Sequence, residues 1–420
     1  MRISSTEFLQ SSLAQILQQE GNVNQLNQEI SSGQAISSAI QDPGGAGLAL
    51  GISGQIDRLT FDTNNANSGV QSLQGGIGIL QQVTTLINQM SNTAAQAANG
   101  TISDSDRQAL VGVVQGAIQQ LVQLANAQGS NGDYMFAGSQ TATRPFQMQA
   151  NGQVLFMGDN GQSSIEIAPG LTVPVNASGQ SIFMNIPNGN GTFGVNAVAA
   201  NQGTAYATPI GVTSANQVAA EHLANTQFQI TFGAIQPDGT TAYTVTSGTG
   251  TPGSPGFIAS SGVVSTGAYN NGGTLNFGGL SVQFSGAPAT GDQFNVNTSQ
   301  NTSVFQILSN LASALTAPRQ GTGAAALAQQ QVENVIGELS NASTNLLSAQ
   351  ATLGANLSEM QGIVSQNNNA QTDAKAQLSN IQSINLPQVM TNYNESVLSL
   401  QAAQEAFSKI QGLTLFSLIH

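Results

Sequence analysis

Apolar residues recur at helical intervals near both ends of the chain and at strand intervals in its middle. The run Val70, Leu73, Ile77, Leu80, Thr84, Ile87, Ser91, Ala94 steps alternately by three and four, the spacing of a coiled-coil seam. Thr84, Ser91 and Ala94 make that seam shallow. Shorter runs precede it, Leu9, Leu13, Ile16 and then Val23, Leu26, Ile30, and Leu110, Val113, Ala117, Leu121 and Leu124 follow it. Ser103 with Asp106 predicts a capped helix start after the polar break Asn99-Gly100-Thr101, and so a helical hairpin. Ser31-Ser32-Gly33 and Asp42-Pro43-Gly44-Gly45 predict a bent connection further upstream.

The helical pattern returns at Val304 to Ala314, ends at Ala317-Pro318-Arg319, and resumes after Ala324. Val332, Val335, Leu339, Leu346, Leu353, Leu357, Met360 and Val364 lie near heptad spacing. Met390, Tyr393, Val397, Leu400, Gln404 and Phe407 continue the pattern past Pro387, which predicts a kink or a junction. A helix of about 60 residues at 1.5 Å rise is roughly 90 Å long, a rod whose seam cannot be buried by one helix alone. The simplest arrangement packs the N-terminal and C-terminal helices on each other, with neighbouring subunits as alternative partners for the terminal stretches.

Between about Asp133 and Asn301 the period changes to short strands such as Val154-Leu155-Phe156, Phe228 to Phe232 and Leu280 to Phe284. Asn151-Gly152, Asn160-Gly161, Asn188-Gly189, Asp238-Gly239 and Asn271-Gly272 supply turns between them, as hairpins and a small sandwich or barrel require. Ala199 to Ala219 shows no clean strand pattern and reads as a link. The predicted class is α+β, long terminal helices in a coiled-coil bundle with an inserted β-rich domain. The expected organisation is terminal assembly segments at 1–60 and 380–420, an inner bundle at 61–138 and 302–379, and an outer β domain at 139–301 with lobes near 139–205 and 220–301.

Charge narrows the function classes. The chain has 7 Lys+Arg against 20 Asp+Glu, a net charge of -13, so no basic cluster exists to engage nucleic acid. No Lys or Arg occurs between Arg144 and Arg319, and neutral Gln, Asn, Ser, Thr and Gly must cover the surface, which suits close subunit packing. With 0 Cys there are no disulfides or thiolate metal sites. Met1 to Glu20 lacks a signal-peptide pattern, so general secretion is disfavoured, and no run approaches the roughly 18 apolar residues of a membrane span.

Candidate chemistry is sparse. His222 and His420 sit in no ligand-spaced cluster. Asp159, Glu166, Glu221, Asp238 and Asp292 are scattered singly through the middle. Gly75-Gly76-Ile77-Gly78 lies inside a heptad pattern with no following Lys and reads as a close helix contact rather than a phosphate loop. Ser260 to Ser265 lacks a nucleophile elbow. No catalytic, cofactor or metal residues are therefore predicted. The stronger signal is the apolar tail, where Val397, Leu400, Phe407 and Ile410 lead into Leu413, Leu415, Phe416, Leu418 and Ile419, an end that asks for a partner. The predicted assembly interface comprises Leu9, Leu13, Ile16, Val23, Leu26, Ile30, Met390, Tyr393, Val397, Leu400, Phe407, Ile410, Leu413, Leu415 and Phe416.

These ends carry a resemblance. Met1-Arg2-Ile3-Ser4, Ile30-Ser31-Ser32-Gly33, Gln41-Asp42-Pro43, Gln96 to Thr101 and Asn131 to Ser139 resemble the flagellin family, as do Leu353-Gly354-Ala355-Asn356-Leu357 and Leu400 to Phe416. Gly286 to Phe294 is similar to a strand turn of hook-associated proteins. Asp42-Pro43-Gly44-Gly45, where filament flagellins typically carry a double Asp and Ala-Ala-Gly, and Tyr134 to Gly138 look like the branch that joins hook to filament. The resemblance implies a non-enzymatic structural subunit outside the cell, exported through the flagellar type III apparatus without a cleaved signal peptide. It implies terminal helices that fold on assembly and line an axial tube, while the β-rich middle projects outward. The implied partners are copies of itself in a ring or helix, hook-associated protein 1, flagellin, and a cytoplasmic chaperone on the C-terminal helix. Filament flagellin itself and a secreted coiled-coil adhesin or effector are the rival readings.

Overall fold

A computed structural model describes residues 2–35, 42–100, 102–223, 226–250 and 258–416. Its long helices are α1 (Arg2–Ser32), α2 (Pro43–Ala98), α3 (Asp104–Ala125), α5 (Val304–Thr316), α6 (Thr322–Gln382) and α7 (Leu386–Phe416), with a short α4 (Ala215–Leu223) in the β-rich middle. The boundaries have local causes. Asp42 Oδ1 accepts the N–H groups of Gly44 and Gly45 at 3.1 and 3.0 Å, and Pro43 fills the first helical position, so the predicted break is the N-cap of α2. Ser103 and Asp106 form a full capping box on α3. Asn385 starts α7 just before Pro387, making that proline a junction.

The chain forms two compact units, Met1–Asn65 with Gly362–His420, and Ala66–Gln361. In the first, α1 and α7 run antiparallel: Ala35 N–H donates to the Gln382 carbonyl at 2.7 Å, and Gln19 Nε2 to Ser399 Oγ at 2.8 Å. Gln371 Nε2 also reaches Thr60 Oγ1 at 2.6 Å.

In the second unit, α2 and α6 are likewise antiparallel. A methyl group added at Gly69 would overlap the Met360 thioether, and one at Gly76 would touch Leu353 at 3.5 Å. The seam of α2 is Leu73, Gly76, Leu80, Val83, Ile87, Met90, Ala94 and Ala97, all buried. One half of the expected stripe is thus correct and the other is displaced by one residue, since Ile77, Thr84 and Ser91 are only half-buried. At 83 and 90 the displacement follows the chemistry, Val and Met replacing Thr84 and Ser91, whereas at 76 it follows the close approach of Leu353, which Gly permits and Ile77 would not. On α6 the expected Val332, Val335, Leu339, Leu346, Leu353 and Met360 are buried, joined by Ala342.

The middle of the same unit holds two aromatic cores. In the first, Phe183 meets Phe136 and Phe146 edge to face, Phe146 belonging to the hairpin β1 (Phe146–Met148) and β2 (Val154–Phe156), with Phe146–Phe183 at 5.4 Å and 86°, and Phe305 of α5 packs on Phe146 and Phe183 at a tilt. A second hairpin, β3 (Ser164–Ala168) with β4 (Leu171–Pro174), follows β2 in sequence. The second core lies in a sandwich. One sheet orders β10 (Ile258–Tyr269), β9 (Thr241–Thr249), β8 (Thr226–Ile235), β13 (Gln293–Thr298) and β6 (Phe193–Ala197). The other orders β11 (Thr274–Phe277), β12 (Leu280–Ser285) and β7 (Tyr206–Val212), and β5 (Ile186–Pro187) pairs with β14 (Asn301–Thr302). Phe232, Phe284 and Phe294 stack perpendicularly between the sheets at 4.8 to 5.9 Å.

Strand pairing departs from the expected lobes near 139–205 and 220–301, because β6 joins the sheet built from 226–298. β7 also occupies the segment that reads as a link. Its Pro209 lacks an N–H, which an edge strand tolerates, and the register of β7 with β12 shifts between Ser281 and Val282. At the β8–β9 turn Asp238 accepts Thr240 N–H at 3.0 Å and Gly239 takes φ 85°, as a tight hairpin needs.

Limited trypsin digestion reads the difference between the units. Cleavage after the exposed Arg58 and Lys375 is expected first, leaving a resistant fragment 59–375. Within it Arg107 is buried in an ion pair, Arg144 precedes Pro145, and Arg319 is half-buried. Mass spectrometry of the fragments checks this, and loss of the 66–361 region before the terminal helices would contradict it.

Candidate functional site

The predicted assembly residues sit on α1 and α7, and most of those described are only partly covered. Ile16 is buried at 9 % exposure, whereas Leu9, Val23, Leu26, Ile30, Tyr393, Val397, Leu400 and Phe407 are half-buried, and Leu13 (47 %) and Met390 (43 %) are exposed. The side chains of Ile410, Leu413, Leu415, Phe416 and His222, and all of residues 417–420 including His420, lie outside the described residues. The described buried residues of this unit are Ile16, Ala49, Asn367 and Ala374.

A pair of 31-residue helices normally buries one apolar stripe each; here that stripe is half wet. Sequence reasoning also missed further exposed apolar residues on this unit. Leu17, Leu48, Leu50, Phe61, Leu386 and Leu398 stand exposed on the same unit, Leu398 at 68 %. The readable signal was the doublets Ile16-Leu17 and Val397-Leu398, which widen each apolar stripe onto the solvent face.

In the second unit α6 carries an uncharged docking face. Gln330 accepts Ala207 N–H at 2.6 Å and donates to the carbonyls of Ala207 (2.7 Å) and Val195 (3.3 Å), tying β7 and β6 to one helix. Asn334 reaches Asn196, Asn341 the carbonyls of Pro187 and Gly189, Asn345 those of Ser181 and Ile182, and Asn356 that of Pro174. Steps of 4, 7, 4 and 11 place these amides on one face, about 100° around the helix from its apolar seam.

Glu338 is the charged exception on that face. It is buried, accepts Gly189 N–H, has one oxygen, Oε2, without a partner, and desolvation pushes its pKa up to about 7. Three other acids of the middle, Asp159, Asp292 and Glu166, accept backbone N–H groups. The Ser139 hydroxyl and backbone N–H lower the pKa of Asp159, which also accepts Gly161 N–H at 2.9 Å. Asp292 accepts three backbone N–H groups at 2.8 to 3.0 Å, from Gln202, Gly203 and Ala289, and Glu166 accepts that of Gly170 at 3.1 Å. Asp159 and Asp292 thus tie together segments distant in sequence, and Glu166 holds its own hairpin turn, rather than forming a converging pair. Among the described residues no three His, Cys, Asp or Glu side chains gather to hold a metal, and no described helix is long and apolar enough to cross a membrane.

The segment Tyr134 to Ser139 joins these parts. Met135 N–H donates to the Ala127 carbonyl past the end of α3, Gly179 N–H to Phe136, and Asn176 Nδ2 to Gly138 at 2.7 Å. Gly138 takes φ 76° with its Cα against Asp159, a position with no space for a side chain.

Residues 3–141 match the family profile of the bacterial flagellin N-terminal helical region. Flagellar hook-associated protein 3 of Salmonella typhimurium is 28% identical over 186 residues, 44% of this chain and 58% of that protein, so the match spans little more than half of that relative. The crystal structure of flagellar hook associated protein-3 from Legionella pneumophila is similar with a TM-score of 0.69 at 27% identity, covering 79% of this chain and 98% of that one. B-type flagellin of Pseudomonas aeruginosa is 34% identical over 131 residues, which are 30% of this chain and 27% of that protein. The chain therefore carries a flagellin-type N-terminal helical region, and its long terminal helices with a β-rich middle follow the architecture of hook-associated protein 3.

Two substitutions test the α6 face. Gln330→Ala leaves the Ala207 and Val195 backbone groups buried without partners and is expected to cost about 3 kcal/mol by denaturant unfolding, against less than about 1 for the more exposed Asn334→Ala. Glu338→Gln keeps an acceptor for Gly189 and removes the titration. Because the folded carboxyl holds its proton up to about pH 7 and the unfolded one loses it near 4.5, stability falls as pH rises between these values. The variant should therefore exceed wild type by on the order of 2 kcal/mol at pH 8, a difference that vanishes below the unfolded value of 4.5, as read by melting temperature.

Proposed function

We propose that this chain is a structural, non-enzymatic subunit of the bacterial flagellum that adapts hook-associated protein 1 to the flagellin filament at the hook-filament junction. The carrying observation is the α1–α7 pair. Its apolar stripe is half-covered within one chain, and Leu17 and Leu398 of the same two helices face water. Helix pairs of this kind gain stability when a neighbouring helix completes the seam, by about 25 cal/mol per Å² of apolar surface removed from water. The segments 1–60 and 380–420 fall within the first unit and would carry that assembly, with copies of the chain forming a ring or helix. Likeness to hook-associated protein 3 supports the position at the junction.

Export through the flagellar type III route, with a cytoplasmic chaperone on α7 before assembly, belongs to the same reading. An exposed apolar helix needs protection before it finds its place. The filament-subunit alternative rests on the flagellin likeness, which is confined to about a third of the chain. A strain lacking this chain separates the two: hooks without filaments and flagellin in the medium support the adaptor, whereas filaments of altered composition support the alternative.

Point variants provide a sharper check. Leu17→Asp and Leu398→Asp change exposed side chains, so the isolated protein should keep its stability within about 0.5 kcal/mol. Both, like removal of residues 400–420, should abolish filament attachment and swimming in the complemented strain. Normal motility in all three would overturn the reading.

A further inference from the structure

Only 7 basic residues serve a chain of net charge -13, and two of them meet. Arg107, in the first turns of α3, and Arg319, in the link between α5 and α6, line one cleft of about 770 Å³ with Thr204, Tyr206, Thr322 and Gln329. Arg107 is already engaged, its Nη2 with Asp104 Oδ1 and its Nη1 with the Ile102 carbonyl at 3.3 Å. Asp104 is 86% exposed, so solvent screens most of its counter-charge.

Arg319 lacks such a partner. Its Nε and Nη2 are closed off from water without a hydrogen-bond acceptor, and desolvation, then the like charge of Arg107, lowers its pKa. Donors buried in this way are costly to the fold, and a second guanidinium beside them adds repulsion. Arg319 lies outside both helices, in the segment between Thr316 and Thr322, and its side chain must turn for the buried Nε and Nη2 to meet a ligand in the cleft.

We infer that this cleft binds a carboxylate, which supplies acceptors to the Arg319 fork and counter-charge to both guanidiniums. A planar oxyanion matches a guanidinium fork in two parallel hydrogen bonds, a geometry that a spherical halide cannot offer. The carboxylate comes either from a small dicarboxylate in solution or from an Asp or Glu of a second copy, a chain with 20 acids.

The full-length chain carries the test. Succinate is titrated by calorimetry into wild type, Arg319→Gln and Arg144→Gln at matched ionic strength, with chloride as reference, and sedimentation follows self-association of the same proteins. Arg144 is exposed, so its variant controls for lost charge. Succinate binding in wild type and Arg144→Gln that weakens about tenfold or more in Arg319→Gln supports the site with a free ligand. Absent succinate binding but self-association that Arg319→Gln alone weakens supports the site with a second chain's carboxylate. Identical behaviour of the three proteins in both assays, or a wild type that neither prefers succinate to chloride nor loses self-association on Arg319→Gln, overturns it.

Discussion

In the 66–361 unit, α6 must bury two adjacent faces at once, and the arrangement of that unit follows from this. One face is apolar and closes on α2, where Gly69 and Gly76 bring the backbones near Met360 and Leu353. The other is a row of amides that grips backbone carbonyls and N–H groups of the β-rich middle. A helix held on two faces about 100° apart cannot rotate about its axis without breaking one set of contacts, so the row of amides fixes β6, β7 and the β5–β6 turn against it.

The choice of amides fits a chain almost without charge. The salt bridge found among the described residues is Arg107 with Asp104, and charged groups elsewhere bond to backbone or to neutral side chains, as Asp159 does to Ser139 and Lys375 to Gln371. Neutral hydrogen bonds are hardly screened by salt and do not titrate, whereas exposed ion pairs weaken as ionic strength rises. A fold held this way keeps its geometry in media of varying salt. Glu338 interrupts that logic, since its carboxyl sits on the same face with one oxygen unmatched and makes the β5–β6 contact the part of the docking face that responds to pH.

The helices, their ends and the class of the middle domain were legible because each depends on short-range pattern. Capping at Ser103, the stop at Pro318 and the strands at Phe228 and Leu280 need only a few neighbouring residues to specify them. The displaced half of the α2 seam was not, because a stripe of Gly76, Val83, Met90 and Ala97 competes with Ile77, Thr84 and Ser91 one residue away, and the facing helix decides between them. β7 was hidden for a related reason: Pro209 and Gly211 spoil its local pattern, and pairing with β12, some 70 residues on, makes it a strand. The amide row on α6 could have been read as Gln and Asn at helical spacing. In a chain this rich in neutral polar residues, only the carbonyls opposite distinguish that row from ordinary surface.

The contrast between the two units carries the functional argument. Ordering a residue costs about 1 to 2 kcal/mol of backbone entropy, and buried apolar area is the main term that offsets it. The 66–361 unit meets that requirement with two aromatic cores and two apolar helix seams, while the terminal unit offers Ile16, Ala49 and Ala374 as its described buried apolar residues. A helix pair that buried its stripe fully within one chain would have no apolar surface left to give a neighbour. Half-coverage therefore leaves α1 and α7 with enough mutual contact to define their antiparallel register, while Leu13, Leu17 and Leu398 keep apolar surface in water, the surface on which the proposed assembly role draws.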